Sequence, residues 1–109
     1  MKREFIRTAT FERSWAATGL GDDELRELEN LLLLNPSFGD VIPHMSGARK
    51  IRFALEGRGK SGGARVIYVD IMVKERIYLL LAYPKSEQSN LTPDQQRVLR
   101  NMIDTLREE

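Results

Sequence analysis

The apolar positions of this chain change period midway. In TFERSWAATG, residues 10–19, Phe11 and Trp15 stand four apart. That spacing puts both on one face of a short helix, which Gly19 is placed to end. Leu25, Leu28 and Leu32 form a second helical stripe. Asp22 or Asp23 starts this helix, with acids in the first turn where the helix dipole favours them. Asn35-Pro36 stops it. The run LLLL, residues 31–34, is wider than one stripe. It reads either as packed core or as part of a partner interface.

After a Pro-, Gly- and Ser-rich loop over residues 35–48, the period becomes two. In KIRFAL, Ile51, Phe53 and Leu55 alternate with Lys50, Arg52 and Ala54, the pattern of a half-buried strand. ARVIYVDIMV is rich in β-branched residues and predicts a second strand. VKER makes a turn. IYLLLAY, apolar on both sides, predicts a third and central strand. A fainter strand is expected over residues 4–8. The last segment opens with Thr92 as N-cap, Pro93 at the first helical position and Gln95 at the capping-box site. Val98, Leu99, Met102, Ile103 and Leu106 continue it as an apolar stripe.

The predicted order is strand, two helices, three strands, one helix. Short connections favour an antiparallel meander. The expectation is an α+β fold: a small antiparallel sheet with an N-terminal helical pair and a C-terminal helix, the helices packed on one face. A chain of 109 residues fits a single domain over residues 1–109.

Composition narrows the chemistry. Hydrophobic residues at 41% and charged residues at 30% describe a globular chain. No apolar run approaches the roughly 18 residues of a spanning helix, so no membrane role is expected. The start MKREFIRTATFERSW lacks the apolar segment of a secretory signal. There is no cysteine and one histidine, His44. Disulfides, thiolate metal sites and a cysteine nucleophile are therefore excluded. No metal or organic cofactor is indicated, and the cytoplasm is the expected compartment.

The net charge of +1 hides a polarised distribution. Residues 49–65 carry six cations, Arg49, Lys50, Arg52, Arg58, Lys60 and Arg65, against one acid, Glu56. Residues 21–30 carry five acids and one base. Such a chain presents a positive field to a polyanion, or simply a mixed, solubilising surface.

The stretch GRGKSGGARVIY, residues 57–68, contains the Gly-Lys-Ser of a phosphate loop. That motif requires a leading glycine where Ala54 stands, and a helix directly after it. Here a strand follows, so no helix N-terminus would face a phosphate. A basic hairpin connection is the better reading. Arg58 and Lys60 either touch a nucleic-acid backbone or are ordinary solvated charges. Arg65 begins the next strand. If that strand pairs with KIRFAL, Arg65 lies near Lys50 and Arg52. Three fixed cations on one sheet face suit phosphate binding and the charge that develops in phosphodiester cleavage. Surface ion pairs are the competing explanation.

Taken together, NPxxGDVIP, RKIRFA, GRGKSGGARVIY, IYLLLAYPKSE and NLT resemble the RelE/ParE superfamily of toxins. The similarity is greatest to the HigB-like branch of type II toxin–antitoxin systems and covers nearly the whole chain. The resemblance implies a compact α+β fold and cleavage of messenger RNA in the ribosomal A site, with a 2′-hydroxyl attacking the adjacent phosphate. It implies a cognate antitoxin protein, the 70S ribosome and mRNA as partners. Carried over by position, Lys50 and Arg52 would serve proton transfer or charge stabilisation, and Arg65 would clamp phosphate.

The RelE pattern has an arginine and then a tyrosine after the last strand. Here Ser86 stands at the arginine position and no tyrosine follows. Lys85 is the candidate replacement for the arginine, and Tyr83 the candidate for the stacking tyrosine. Tyr83, Lys85 and Glu87 match a Y-x-K-x-E arrangement of the HigB-like branch, with Glu87 either orienting a base or ion-paired at the surface. The expected catalytic set is Lys50, Arg52, Arg65 and Lys85. The expected RNA contacts are Arg49, Arg58, Lys60 and Tyr83. A ParE-like gyrase poison and an inactive, antitoxin-binding relative are the alternatives.

Overall fold

In the computed structural model, the described residues are 2–53, 63–88 and 90–109. Strand β1 spans Glu4–Arg7, helix α1 Ala9–Ala17 and helix α2 Asp22–Leu34. Strands β2 (Asp40–Val41), β3 (Arg49–Phe53), β4 (Ala64–Ile71) and β5 (Arg76–Pro84) follow, then helix α3, Pro93–Glu108. The sheet order is β1-β5-β4-β3-β2.

The three strands expected from the alternation, β3, β4 and β5, form an antiparallel meander. Two features differ from the expectation. β1 pairs parallel with β5, so the sheet is mixed, and β2 adds a two-residue edge beside β3. The helices also cover both faces rather than one. Phe11 and Trp15 of α1 and Leu25, Leu28 and Leu32 of α2 pack on Ile51, Phe53, Val66, Tyr68, Ile77 and Leu79. Leu99 and Ile103 of α3 pack with Met45 on Ile67, Val69, Ile71, Tyr78, Leu80 and Tyr83. Both faces of β4 and β5 are thus apolar, which is why these strands read as nearly continuous hydrophobic runs.

A bulge explains the triple leucine of β5. Ile67 pairs with Leu81 while Tyr68 pairs with Leu79, leaving Leu80 as the extra residue. An inserted residue reverses the in-out alternation beyond it. Leu80 and Leu81 accordingly both lie on the α3 face, whereas Leu79 and Ala82 lie on the α1–α2 face.

Local chemistry fixes the helix ends. The Thr8 hydroxyl accepts from the Phe11 N–H at 3.1 Å and donates to the Leu79 carbonyl at 2.9 Å, joining the start of α1 to β5. β1 pairs only with residues 76–79 of β5. Beyond that point Ser14 Oγ accepts from the Ala82 N–H at 3.0 Å, so α1 satisfies an edge donor that β1 does not reach. In LLLL, Leu32 is buried and Leu31 packs against the core. Leu34, at the helix end, is 84% exposed. α3 starts as its sequence predicts: the Gln95 N–H donates to Thr92 Oγ1 at 3.1 Å and the Thr92 N–H to Gln95 Oε1 at 3.0 Å. Val98 departs from the expected stripe and is exposed.

The segment before β3 is held against α3. His44, Ser46 and Gly47 all have positive φ. Ser46 Oγ donates to Asp104 Oδ1 at 2.8 Å, and Arg107 Nη2 donates to the Ser46 carbonyl at 2.8 Å. These bonds and the buried Met45 side chain hold a conformation that L-residues disfavour. They also set Ile42 and β3 beside the first turn of α3. Among the described residues, no helix is long and apolar enough to cross a membrane.

Candidate functional site

Alternation along β3 turns Ile51 and Phe53 toward α1 and α2, and Lys50 and Arg52 toward the α3 side. The register then builds a row across three strands. Arg52 pairs with Arg65 of β4, and Arg65 pairs with Tyr83 of β5. Side chains opposed in this way have Cβ atoms about 4.5–5.5 Å apart. Lys50 lies two residues along β3 from Arg52, about 7 Å at the usual strand rise. The expectation that Lys50, Arg52 and Arg65 share one face is met.

Arg65 is only 7% exposed and is the one buried charged residue among the described residues. Its Nη1 and the Tyr83 hydroxyl are both buried, and neither has a hydrogen-bond partner among the described residues. Leaving such groups unmade is costly, by about 1–3 kcal/mol for a neutral group and more for a charged one. A partner for the guanidinium must be an acceptor, and an anionic oxygen is the strongest. Burial pushes the Tyr83 phenol above its ordinary range, while the positive charge of Arg65 pulls it back. The two groups therefore sense one another.

Tyr83 is 4% exposed. Its ring belongs to the core under α3, so it offers no open face to a nucleobase. It contributes a hydroxyl beside Arg65 instead. Lys85 is exposed in the turn after β5, and its N–H donates to the Gly63 carbonyl at 3.3 Å. That bond brings the turn to the start of β4, two residues before Arg65. Glu87 is exposed and forms no ion pair among the described residues.

Arg49 does not join the row. It pairs with Tyr68, on the α1–α2 side, and Nη1 donates to the Gly39 carbonyl at 2.7 Å and the Ser37 carbonyl at 3.3 Å. It braces the loop before β2. Arg58 and Lys60 lie outside the described residues. The Gly-Lys-Ser triplet of the run that resembles a phosphate loop also lies outside the described residues, and the element after it is β4, not a helix.

One feature was not anticipated. Lys50 opens on a cavity of about 310 Å³, lined also by Ile42, Asn90, Leu91 and Gln96. Its Nζ donates to Asn90 Oδ1 at 3.4 Å. The signal was present in part: a capping box at Thr92 fixes where Leu91 and Gln96 stand. Which sheet face α3 would cover is not encoded in its own periodicity.

The arrangement suits a polyanion. Two opposed guanidinium groups, one with an uncommitted buried nitrogen, stand beside an ammonium and a hydroxyl. Comparison with known proteins identifies relatives of the chain. The family model described as RelE toxin of the RelE / RelB toxin-antitoxin system matches residues 4–108. A double arginine-to-alanine mutant of E. coli toxin RelE in the free state is similar in fold, with a TM-score of 0.55 at 17% identity over 82% of this chain and 90% of that one. The intact E. coli RelBE toxin–antitoxin complex gives a TM-score of 0.55 at 17% identity, over 77% of this chain and 96% of that one.

Proposed function

The chain belongs to the RelE toxin family, and from that premise we propose that it cleaves ribosome-bound messenger RNA in the A site. The observation that carries this reading is the Arg52–Arg65–Tyr83 row with its unpartnered buried guanidinium nitrogen. A phosphodiester oxygen supplies the missing acceptor.

In this mechanism Arg52 and Arg65 hold the scissile phosphate. Their charge favours the transition state more than the ground state, because negative charge on the phosphoryl oxygens grows during attack. Lys50, once it has lost its ammonium proton to solvent, takes the proton of the neighbouring 2′-hydroxyl. The O2′–P bond forms as the P–O5′ bond breaks. Lys85, as the ammonium, gives a proton to the departing O5′. The products are a 2′,3′-cyclic phosphate and a 5′-hydroxyl end. Tyr83 acts through Arg65 as a positioning residue.

A cognate antitoxin protein is the natural partner, as the E. coli relative was determined in such a complex. The cytoplasm, where ribosomes and mRNA are found, is the expected compartment. The Tyr83-x-Lys85-x-Glu87 arrangement supports a place in the HigB-like branch.

The test is cleavage of a defined mRNA on purified ribosomes, comparing the parent with folded Arg65→Met. The expected result is ribosome-dependent cleavage by the parent, reduced about 100-fold or more in the variant. A folded parent that leaves the mRNA intact overturns the proposal.

A further inference from the structure

Lys50 differs from the other lysines among the described residues. Lys74 Nζ is committed to the Leu106 carbonyl at 2.7 Å. Lys2 and Lys85 are exposed. Lys50 is half-buried, and its hydrogen bond to Asn90 Oδ1 is long, at 3.4 Å, so the amine is loosely held. It opens on a cavity of about 310 Å³ whose lining includes the apolar side chains of Ile42 and Leu91.

Two guanidinium groups stand on the same sheet face. Arg52 and Arg65 are directly opposed across β3 and β4. Lys50 lies two residues along β3 from Arg52, about 7 Å at the usual strand rise. Opposed guanidinium groups with an uncommitted buried nitrogen favour a phosphate. A primary amine is a nucleophile for a carbonyl carbon. A molecule that carries both groups a few bonds apart engages the whole site at once. A molecule with either group alone engages half of it. Strand cleavage uses the amine only as a base, so attack on carbon is a separate capacity of the same residue.

We propose that this site takes small phosphorylated aldehydes, with the phosphate on Arg52 and Arg65 and the aldehyde carbon bound to Lys50 as an imine. The proposal goes beyond the nuclease reading and needs only the cation row, not the cleavage. The nitrogen lone pair of Lys50 attacks the carbonyl carbon and forms the C–N bond. The amine gives up both of its protons, the carbonyl oxygen gains two and leaves as water, and a C=N bond remains. No oxidant or reductant is consumed, and water reverses the step. The organic body of the ligand enters the cavity beside Ile42 and Leu91. Its phosphate occupies the arginines, so the adduct is a reversible block on the site.

The probe is pyridoxal 5′-phosphate, with pyridoxal as the control that lacks the phosphate. Each is incubated with the full chain, the imine is trapped by borohydride, and modified lysines are read by peptide mass. Lys2 serves as the internal reference, which removes the difference in intrinsic reactivity between the two aldehydes. The expected ratio of Lys50 to Lys2 modification is about tenfold or more higher with the phosphorylated aldehyde. Arg65→Met, confirmed folded, should bring that ratio down to the pyridoxal value. Inorganic phosphate should do the same in the parent, which keeps the test independent of any variant. Lysines modified in order of exposure overturn the proposal. So does an equal ratio with the two aldehydes, or a Lys50 preference that survives inorganic phosphate. The readout is a mass rather than a cut, so a chain that labels at Lys50 but leaves mRNA intact loses the nuclease reading and keeps this one. A chain that cleaves mRNA without selective labelling does the reverse.

Discussion

Arg52 and Arg65 face one another directly across the β3–β4 ladder. Like charges so placed repel, and one of the two is buried. Under the proposed function, an anion between the two guanidinium groups offsets that repulsion. Arg65→Met keeps most of the side-chain volume and removes the charge. It should raise stability by about 1 kcal/mol, or about 4–8 °C in melting midpoint for a domain of this size. Inorganic phosphate should raise the midpoint of the parent more than that of the variant. Thermal unfolding with and without phosphate checks both. A variant that melts lower than the parent would mean that Arg65 is a structural cation.

Lys50 separates proton transfer from simple attraction. Arginine retains the positive charge but does not deprotonate in a protein. If Lys50 takes the 2′-hydroxyl proton, Lys50→Arg should lower the rate of cleavage about 10²–10⁴-fold with little change in apparent mRNA affinity. Single-turnover kinetics over a range of pH would show it. A variant within a few-fold of the parent would give Lys50 an electrostatic role only.

Much of this site was legible in the sequence, for identifiable reasons. Alternation alone put Lys50 and Arg52 together, and pairing β4 with β3 brought Arg65 to them. The same alternation places Arg49 on the opposite face, where it braces Ser37 and Gly39. Tyr83 was harder to place. It stands at a strand end, where sequence does not separate a stacking platform from core, and α3 decides the matter by covering it. The parallel pairing of β1 with β5 joins segments about 70 residues apart, and no turn signal records such a contact. The bulge at Leu80 is hidden because three leucines in a row carry no alternation to interrupt.

The loop before β2 is fastened at one atom. Tyr68 is fully buried, and its hydroxyl donates to the Pro36 carbonyl and accepts from the Gly39 N–H, each at 2.8 Å. Tyr68→Phe leaves both backbone groups buried without that partner. A loss of about 2–4 kcal/mol in unfolding free energy is expected. Gly39→Ala attacks the same joint sterically, because its Cβ would lie 2.9 Å from both the Lys50 carbonyl oxygen and Tyr68 Cε1. It should cost about as much as an overpacked core, roughly 1–3 kcal/mol. Denaturant titration measures both. Near-parent stability in Tyr68→Phe would show that water replaces the hydroxyl.

The two buried phenols also predict how stability responds to alkali. Burial raises Tyr68, opposed by the Gly39 hydrogen bond and the charge of Arg49. Burial likewise raises Tyr83, opposed by the charge of Arg65. Unfolded phenols ionise near pH 10, whereas the folded ones still hold their protons there. The unfolded state then binds fewer protons, so unfolding free energy falls as pH rises. Below about pH 10 these tyrosines add no pH dependence. Above it each contributes a loss of up to about 1.4 kcal/mol per pH unit, until its folded form also ionises. Tyr83→Phe should remove one such contribution and leave that of Tyr68. Arg65→Met should move the folded Tyr83 phenol further up, since the charge that pulled it down is gone. Phenolate absorbance followed during an alkaline titration reads this directly. An unchanged Tyr83 titration in Arg65→Met would mean that the two side chains do not interact, and Tyr83 would lose its place in the row.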